Sequence, residues 1–373
     1  LKPLKRVYIA LGSNTGNRTG NLQRAINQIF YRIGDVVRVS KIYETPAWGF
    51  DGLPFNNACI EVNTRLEPEL VLETLLDVEN KMGRLRRSDI GYQNRSIDLD
   101  ILLFENEIID LERLKVPHPQ LANRNFVLFP LNDIASEIIH PVLEKDINTL
   151  KSELKNNSEI KTVKSQLKYK NLQIPDFNYL CVEGNIGVGK TTFTKMLAQD
   201  LNAKLILERF QDNPFLPKFY NDPKRYAFPT EMAFLADRHQ QLVDDISQLD
   251  LFNQFSIADY DLYKSLIFAK VTLQDQEFEL YKKVFNIIYR DLPKPDLYVY
   301  FYQNTDRLLE NIKKRGRDYE QNIQTEYLEK INQGYLDFMK AENRFPTKII
   351  DVSDMDFVEN REDYLKLVED IFK

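Results

Sequence analysis

Residues 179–192 read Tyr-Leu-Cys-Val-Glu-Gly-Asn-Ile-Gly-Val-Gly-Lys-Thr-Thr. A short strand-like run leads straight into a glycine-rich loop, and from Lys190 a helical pattern continues through Leu201. Strand, loop and helix in that order make a phosphate-binding loop. Glycines let backbone N–H groups approach phosphate oxygens, and the helix N-terminus adds partial positive charge. Gly184, Asn185, Ile186, Gly187, Val188, Gly189, Lys190, Thr191 and Thr192 are therefore the candidate nucleotide-binding residues. Lys190 is expected to reach the terminal phosphates, and Thr191 to offer its hydroxyl to Mg²⁺. The expected fold of this half is α/β around a parallel sheet.

Two features downstream bear on the acceptor. Ala203–Leu207 reads as a second apolar strand ending in Glu208, which places a carboxylate at the sheet edge where ligands bind. There it can act as a base toward a bound hydroxyl, or be an ordinary exposed strand-end glutamate. The run Lys313-Lys314-Arg315-Gly316-Arg317-Asp318-Tyr319-Glu320 follows a helix starting near Asp306. It suits a lid that closes arginines over phosphates; the plainer alternative is a solvated basic turn.

The chain of 373 residues is long enough for two or three domains. Its 43% hydrophobic and 28% charged residues give a globular balance. No apolar stretch is long enough to span a membrane, and Val7–Leu11 is too short for a signal-peptide core. Cys59 and Cys181 each sit in an apolar run, which argues against a disulfide framework or a cysteine zinc site. A reduced, cytoplasmic compartment is expected. A net charge of −6 argues against nucleic-acid backbone binding as a main role, so no nucleic-acid or membrane partner is expected. Near residue 150 the polarity changes, and 151–170 is lysine-rich and reads as a solvated helix or tail. The expected division is a first domain over 1–168, a linker over 169–177 and the phosphate-loop domain over 178–373.

In the first domain, Val7–Leu11 reads as a strand, and Asn21 as the cap of a helix carrying Leu22, Ile26, Ile29 and Phe30. Strands are expected over 37–43 and 59–64, then a helix with Val71, Leu75, Val78 and Met82 on one face and Gly83 at its end. The last strand is Ser96-Ile97-Asp98-Leu99-Asp100-Ile101-Leu102-Leu103-Phe104. This order, βαββαβ, is ferredoxin-like. Alternation puts Asp98 and Asp100 on one face, about 7 Å apart, where two carboxylates repel unless something cationic joins them. A solvent-facing strand is the plain alternative. Arg84, Arg86, Arg87 and Arg95 lie just upstream, so carboxylates meet arginines, as a polyphosphate with bound Mg²⁺ requires.

The segments LGSN (11–14), YETPAW (43–48), FNNA (55–58), GRLRR (83–87), RSIDLDILLF (95–104), VPHP (116–119) and NRNF (123–126) resemble hydroxymethyldihydropterin pyrophosphokinase of folate synthesis. The resemblance implies diphosphate transfer from ATP to a reduced pterin, with two Mg²⁺ ions on Asp98 and Asp100. It implies that Arg84 and Arg95 neutralise the moving phosphates, and that Glu79 and His118 lie on the ATP side. It also implies that Phe55 and Phe126 sandwich the pterin. Asn57 and the backbone around Thr45 and Pro46 would bond its edge, with Arg113 and Arg124 at further basic positions. Ala47 and Trp48 depart from many relatives in the loop over the pterin.

The second half resembles the deoxynucleoside kinases through GNIGVGKTT (184–192), LERFQDNPFLPKFY (207–220), FPTEMAFLADR (228–238), SLIFA (265–269) and RGRDYEQNI (315–323). This resemblance implies γ-phosphoryl transfer from ATP to a deoxynucleoside 5′-hydroxyl, one Mg²⁺ and a homodimer. Glu208 would be the base, Arg315 and Arg317 the lid arginines, and Glu320 a sugar contact. Glu231 stands where a base-reading glutamine is usual, seven residues before Arg238. The family's acidic-Arg-Ser segment is replaced by Ala258-Asp259-Tyr260. With a one-residue gap Asp259 supplies the magnesium-side carboxylate; without it Asp259 replaces the arginine, and the arginine is missing either way. A glutamate reader, an acceptor only, matches the two adjacent donors of guanine; the alternative is that Glu231 pairs with Arg238 or Lys264 and reads no base.

The favoured reading is thus a bifunctional enzyme of folate synthesis and nucleotide salvage. An RNA-binding module for the first half conflicts with Asp98 and Asp100 on the sheet face. For the second half a nucleoside-monophosphate kinase or a non-catalytic nucleotide sensor stays open, the former calling for more arginines near Glu208 than Arg209 alone.

Overall fold

The computed structural model describes residues 2–83, 94–154, 159–169, 171–172, 175–209, 213–247, 255–317, 320–321, 323–341 and 345–373. Two compact units divide the chain, Lys2–Leu172 and Gln173–Lys373.

The first unit begins β1 (Lys5–Ser13), α1 (Arg18–Arg32), β2 (Gly34–Val39), β3 (Ile42–Thr45), β4 (Phe55–Thr64), α2 (Pro68–Lys81) and β5 (Asp98–Phe104). A small ribbon, β6 (Ile109–Asp110) and β7 (Lys115–Val116), precedes α3 (Asn125–Ala135), α4 (Ile147–Ser152) and β8 (Lys161–Val163). The antiparallel sheet runs β5-β1-β4-β3-β8, with β2 also on β4, which is the ferredoxin-like order. Val7, Ile9 and Leu11 alternate toward the helices of one face. On the other face Tyr8, Leu102 and Cys59 pack against Val127, Leu128 and Leu131 of α3.

Three local expectations are corrected. Asn17, not Asn21, caps α1, its Oδ1 accepting the Gly20 N–H at 2.9 Å. Asn21 is buried one turn on and ties the loop to β1, donating to Ser13 Oγ at 3.1 Å and Thr15 O at 2.9 Å. The strand expected over 37–43 is two strands, because Ser40 and Lys41 turn aside: Ser40 Oγ accepts the Cys59 N–H at 2.9 Å, and the Lys41 N–H goes to Asp133 Oδ2 at 3.1 Å. The lysine-rich stretch supplies β8, whose Ile42↔Val163 register covers the free side of β3. Lysines on an outermost strand discourage further pairing.

The second unit is a parallel sheet of five strands: β9 (Tyr179–Gly184), β10 (Lys204–Ile206), β11 (Ser256–Ala258), β12 (Leu297–Tyr302) and β13 (Thr347–Asp351). Its order is β10-β11-β9-β12-β13. The connections are α5 (Lys190–Leu201), α6 (Leu216–Asn221), α7 (Pro223–Ser247), α8 (Tyr263–Thr272), α9 (Asp275–Tyr289), α10 (Thr305–Arg315), α11 (Thr325–Ala341) and α12 (Arg361–Phe372). Alternation again decides the layers. Cys181, Tyr298 and Tyr300 pack with Leu235, Ile267, Phe285 and Tyr335, while Phe193 meets Phe301, Phe357 and Tyr364 on the opposite face. The chain leaves β9 toward β10 and later crosses to β12 on its other side, so a crevice opens at the C-terminal end of β9. Among the described residues no helix is long and apolar enough to cross a membrane.

Candidate active sites

The glycine-rich loop occupies that crevice. Gly187 and Gly189 have φ of 88° and 93°, a left-handed backbone that side chains rarely adopt. At Gly187 a Cβ would also meet Leu308 O at 3.0 Å. Residues 186–192 line a cavity of about 910 Å³, together with Glu208, Glu231, Arg238, Asp259, Lys264, Arg315, Arg317 and Glu320. Gly184 and Asn185 lie beneath it. Asn185 is fully buried and anchors the loop to α11, its Nδ2 donating to Leu328 O at 2.7 Å and Asn332 Oδ1 at 2.8 Å. Burial, then the neighbouring Lys264 charge, pull Lys190 down to about 8 against the attraction of Glu183, Glu208 and Asp259.

Glu208 is the centre of the charge arrangement. Its Oε1 accepts from Arg238 Nε at 2.8 Å and from a second guanidinium nitrogen at 2.6 Å, and its Oε2 from Lys264 Nζ at 2.6 Å. Burial opposes ionisation, but Lys264, Arg238 and Lys190 outweigh it and hold this carboxyl well below the usual range. Arg238 also donates to Ser265 Oγ at 2.6 Å, so its guanidinium braces Glu208. Asp259, just past β11, accepts from the Thr191 hydroxyl through Oδ2 and from the Glu208 N–H through Oδ1 at 2.8 Å. A hydroxyl and a carboxylate meeting beside the phosphate loop are a hard-oxygen donor pair that fits Mg²⁺. Glu320 is held by Arg315 and, at 3.2 Å, by Arg317.

Glu231 on α7 is 3% exposed. Its Oε1 accepts from Thr272 Oγ1 at 2.9 Å, and its Oε2 is buried with no hydrogen-bond partner. Burial pushes this carboxyl up to about 7, although Arg238, Thr272 and Lys264 favour its ionised form.

The first unit has its own cavity, of about 250 Å³, on the sheet face that carries Asp98 and Asp100. Opposite them in register stand Gly12 and Ala10, whose small side chains leave the floor open. Arg95 reaches Asp98 Oδ1 at 2.9 Å and lies 5.8 Å from the Phe55 ring. Thr45, Pro46, Trp48, Phe50, Phe55, Asn57, Arg124 and Phe126 complete the walls with His118. Asn57 Nδ2 donates to Thr45 Oγ1 at 2.9 Å, which turns its amide and fixes Oδ1 as the remaining acceptor. Arg124 lies 4.8 Å from the Trp48 ring and 5.5 Å from that of Phe126, a cation–π contact joining the 45–50 loop to the 124–126 wall. Burial, and then Arg124, lower His118 to about 4. Its Nδ1 accepts the Gln120 N–H at 3.1 Å, so the proton sits on Nε2.

Some expected residues stand elsewhere. Glu79 is fully buried and does not line the cavity; its Oε1 accepts the Leu99 N–H at 2.8 Å, bracing β5 between the two aspartates. Arg113 is exposed in the turn between β6 and β7, away from the lining. Arg84, with Arg86 and Arg87, lies outside the described residues. Among the described residues no three His, Cys, Asp or Glu side chains are grouped to hold a metal. Two carboxylates nevertheless fit Mg²⁺, which is commonly bound by one or two carboxylates plus substrate phosphates and water. Sequence reasoning placed Lys264 only as a partner for Glu231, whereas it pairs with Glu208, and it missed Glu183, which is fully buried at the end of β9 and accepts from the Asp261 N–H at 2.9 Å and Tyr335 Oη at 3.0 Å.

Fold and geometry together define two ATP-using transferases on one chain, a phosphate-loop kinase and a ferredoxin-like phosphotransferase. The chain matches the deoxynucleoside kinase family over residues 180–373 and the 7,8-dihydro-6-hydroxymethylpterin-pyrophosphokinase family over 8–136, and it belongs to both. It is 38% identical to a deoxyguanosine kinase of Bacillus subtilis, covering 51% of this chain and 93% of the relative. A 2-amino-4-hydroxy-6-hydroxymethyldihydropteridine pyrophosphokinase of Aquifex aeolicus is 38% identical over 39% of this chain and 91% of its own. A deoxyadenosine/deoxycytidine kinase of Bacillus subtilis is 29% identical over 53% and 93%. Pterin pyrophosphokinase and deoxynucleoside kinase domains are thus fused, and both families use ATP, typically with Mg²⁺.

Proposed function

We propose that the first domain transfers diphosphate from ATP to the hydroxymethyl group of 6-hydroxymethyl-7,8-dihydropterin. The second transfers the γ-phosphoryl group of ATP to the 5′-hydroxyl of a deoxynucleoside, preferably deoxyguanosine. The observation that carries the choice of base is the buried, unpartnered Oε2 of Glu231 in the cavity wall. Guanine N1–H and its 2-amino group are two adjacent donors for that carboxylate, and the name of the Bacillus subtilis deoxyguanosine kinase supports the same base.

In the kinase half the loop N–H groups and Lys190 hold the phosphates, and Glu208 takes the proton of the attacking hydroxyl. Arg315 and Arg317 exchange Glu320 for the transferring phosphoryl group as the lid closes. Thr191 and Asp259 would hold a single Mg²⁺, which would neutralise phosphate charge. In the pterin half Asp98 and Asp100 would hold two Mg²⁺ ions. Arg95, Arg124 and the Nε2–H of His118 face the diphosphate, and Phe55 and Phe126 the ring. The two exposed apolar side chains Leu280 and Ile287 lie one heptad apart on α9 and support a homodimer, which sedimentation of Ile287→Glu tests. The buried free thiols of Cys59 and Cys181 suit a reduced cytoplasm, checked by cell fractionation.

The test is a product screen with ATP, pterins and four deoxynucleosides, read by mass spectrometry. Pterin diphosphate and deoxynucleoside monophosphates are expected. Lys190→Ala should remove only the monophosphates. A wild-type protein that yields neither product refutes the reading.

A further inference from the structure

We propose that Lys264 is a positioning residue for phosphoryl transfer, its ammonium fixing Oε2 of Glu208 so that one lone pair faces the acceptor hydroxyl. The inference rests on the reading of Glu208 as the base. A carboxylate offers about four acceptor directions. Two on Oε1 are filled by Arg238, and one on Oε2 by Lys264 at 2.6 Å. That leaves a single direction on Oε2. The Glu208 side chain is 9% exposed and lines the cavity.

Lys264 is itself 6% exposed, so its contact is not an incidental surface pair. Its backbone is also set. The Lys264 N–H donates to Asp261 O at 3.2 Å, and the Asp261 N–H donates to Glu183 Oε1 at 2.9 Å, under the phosphate loop. The cation absent from the Ala258-Asp259-Tyr260 segment is thus supplied from the first turn of α8. As the oxygen–phosphorus bond forms and ADP leaves, the hydroxyl proton passes to the free Oε2 lone pair. Lys264 keeps that oxygen from rotating away from the acceptor, and it is not consumed.

The full-length protein is assayed as wild type, Lys264→Met, Lys264→Arg, Glu208→Gln and the double variant Glu208→Gln/Lys264→Met. Lost hydrogen bonds to charged groups set the scale. Lys264→Met should lower kcat for the nucleoside about 10- to 100-fold with the KM for ATP within about threefold, and Lys264→Arg should recover most of the loss. Because Lys264 acts through Glu208, the double variant should be no slower than Glu208→Gln alone. Three results would each overturn the role: an additive double variant, an arginine variant no better than methionine, or a methionine variant that raises the ATP KM without lowering kcat. If Lys264→Met fails to fold, its ATP titration shows no binding, and the arginine variant then decides: a kcat within about fivefold of wild type upholds the role and a larger loss ends it. A Glu208→Gln protein at wild-type rate would refute the base reading itself, a separate outcome.

Discussion

Replacing Glu231 by glutamine exchanges one oxygen for an amide nitrogen. The Thr272 hydroxyl lies 2.9 Å from Oε1 and 3.0 Å from Phe268 O; where its proton goes to the Oε1 position, an oxygen stays there and the new NH₂ takes the place of the unpartnered Oε2. Against guanine, that nitrogen would confront a donor with a donor, leaving a buried N–H unpaired. Such a group costs about 1–3 kcal/mol, or about five- to 150-fold in discrimination. Against adenine the same nitrogen meets the N1 acceptor, while Oε1 can accept from the 6-amino group. Glu231→Gln should therefore lower kcat/KM for deoxyguanosine by that factor and raise the deoxyadenosine to deoxyguanosine ratio by at least as much. Neither Arg238 nor Lys264 hydrogen-bonds Glu231, since both are engaged by Glu208, so the substitution leaves those contacts in place.

The assay is kcat/KM for four deoxynucleosides with both proteins, repeated from pH 6 to 8. Glu231 faces Arg238 on its own helix, Lys264 and Thr272 on α8, and Tyr281 on α9, whose hydroxyl reaches Glu231 O at 3.3 Å. With its carboxyl raised to about 7, the ionised fraction grows as pH rises through that range. Wild-type preference for deoxyguanosine should strengthen with pH, because only the ionised form accepts on both oxygens. The glutamine variant should show no such trend in its base ratio. An unchanged ranking after substitution removes Glu231 from base reading.

The other predictions are separable. Because the folded-state value of Glu231 is raised from 4.5 to about 7, ionisation opposes folding; the cost is absent below about 4.5, grows up to about 7 and is constant above. At about 1.4 kcal/mol per pH unit this amounts to about 3 kcal/mol, so Glu231→Gln should raise the kinase-domain Tm at pH 8 and not at pH 4, by calorimetry. Asp98→Asn or Asp100→Asn should cut pterin diphosphorylation by orders of magnitude while nucleoside phosphorylation persists; a near-wild-type pterin rate in either would end the two-metal assignment. Asn185→Ala removes two buried hydrogen bonds that hold the phosphate loop to α11, and should cost about 1–3 kcal/mol in denaturant titration while raising the KM for ATP. Unchanged stability would show that Gly187 and Gly189 set the loop without that anchor.

What the sequence made legible follows from how local each signal is. The phosphate loop was readable because strand, glycines and helix are contiguous, and the alternation Asp98-Leu99-Asp100 announced a two-sided strand. The two sheets and their helices needed little more than period. What escaped was set by partners far along the chain. β4 begins at Phe55, four residues before the expected start, because β1 continues alongside it to Ser13↔Asn56. That extension puts Asn57 on a strand. β8 exists because β3 has a free edge, a fact no lysine-rich stretch declares. The resemblance puts Glu79 on the nucleotide side; what no pattern shows is that it is fully buried under β5, where the Leu99 N–H needs an acceptor. The acidic-Arg-Ser departure shows the same limit from the other direction. A motif is a linear record of a spatial requirement, and the requirement at Glu208 is a cation within hydrogen-bonding reach of Oε2. Lys264 meets it at 2.6 Å from the first turn of a helix, five residues past Asp259. The charge stayed in the site while its place in the sequence moved, so an arginine missing from the motif is not evidence of a missing cation.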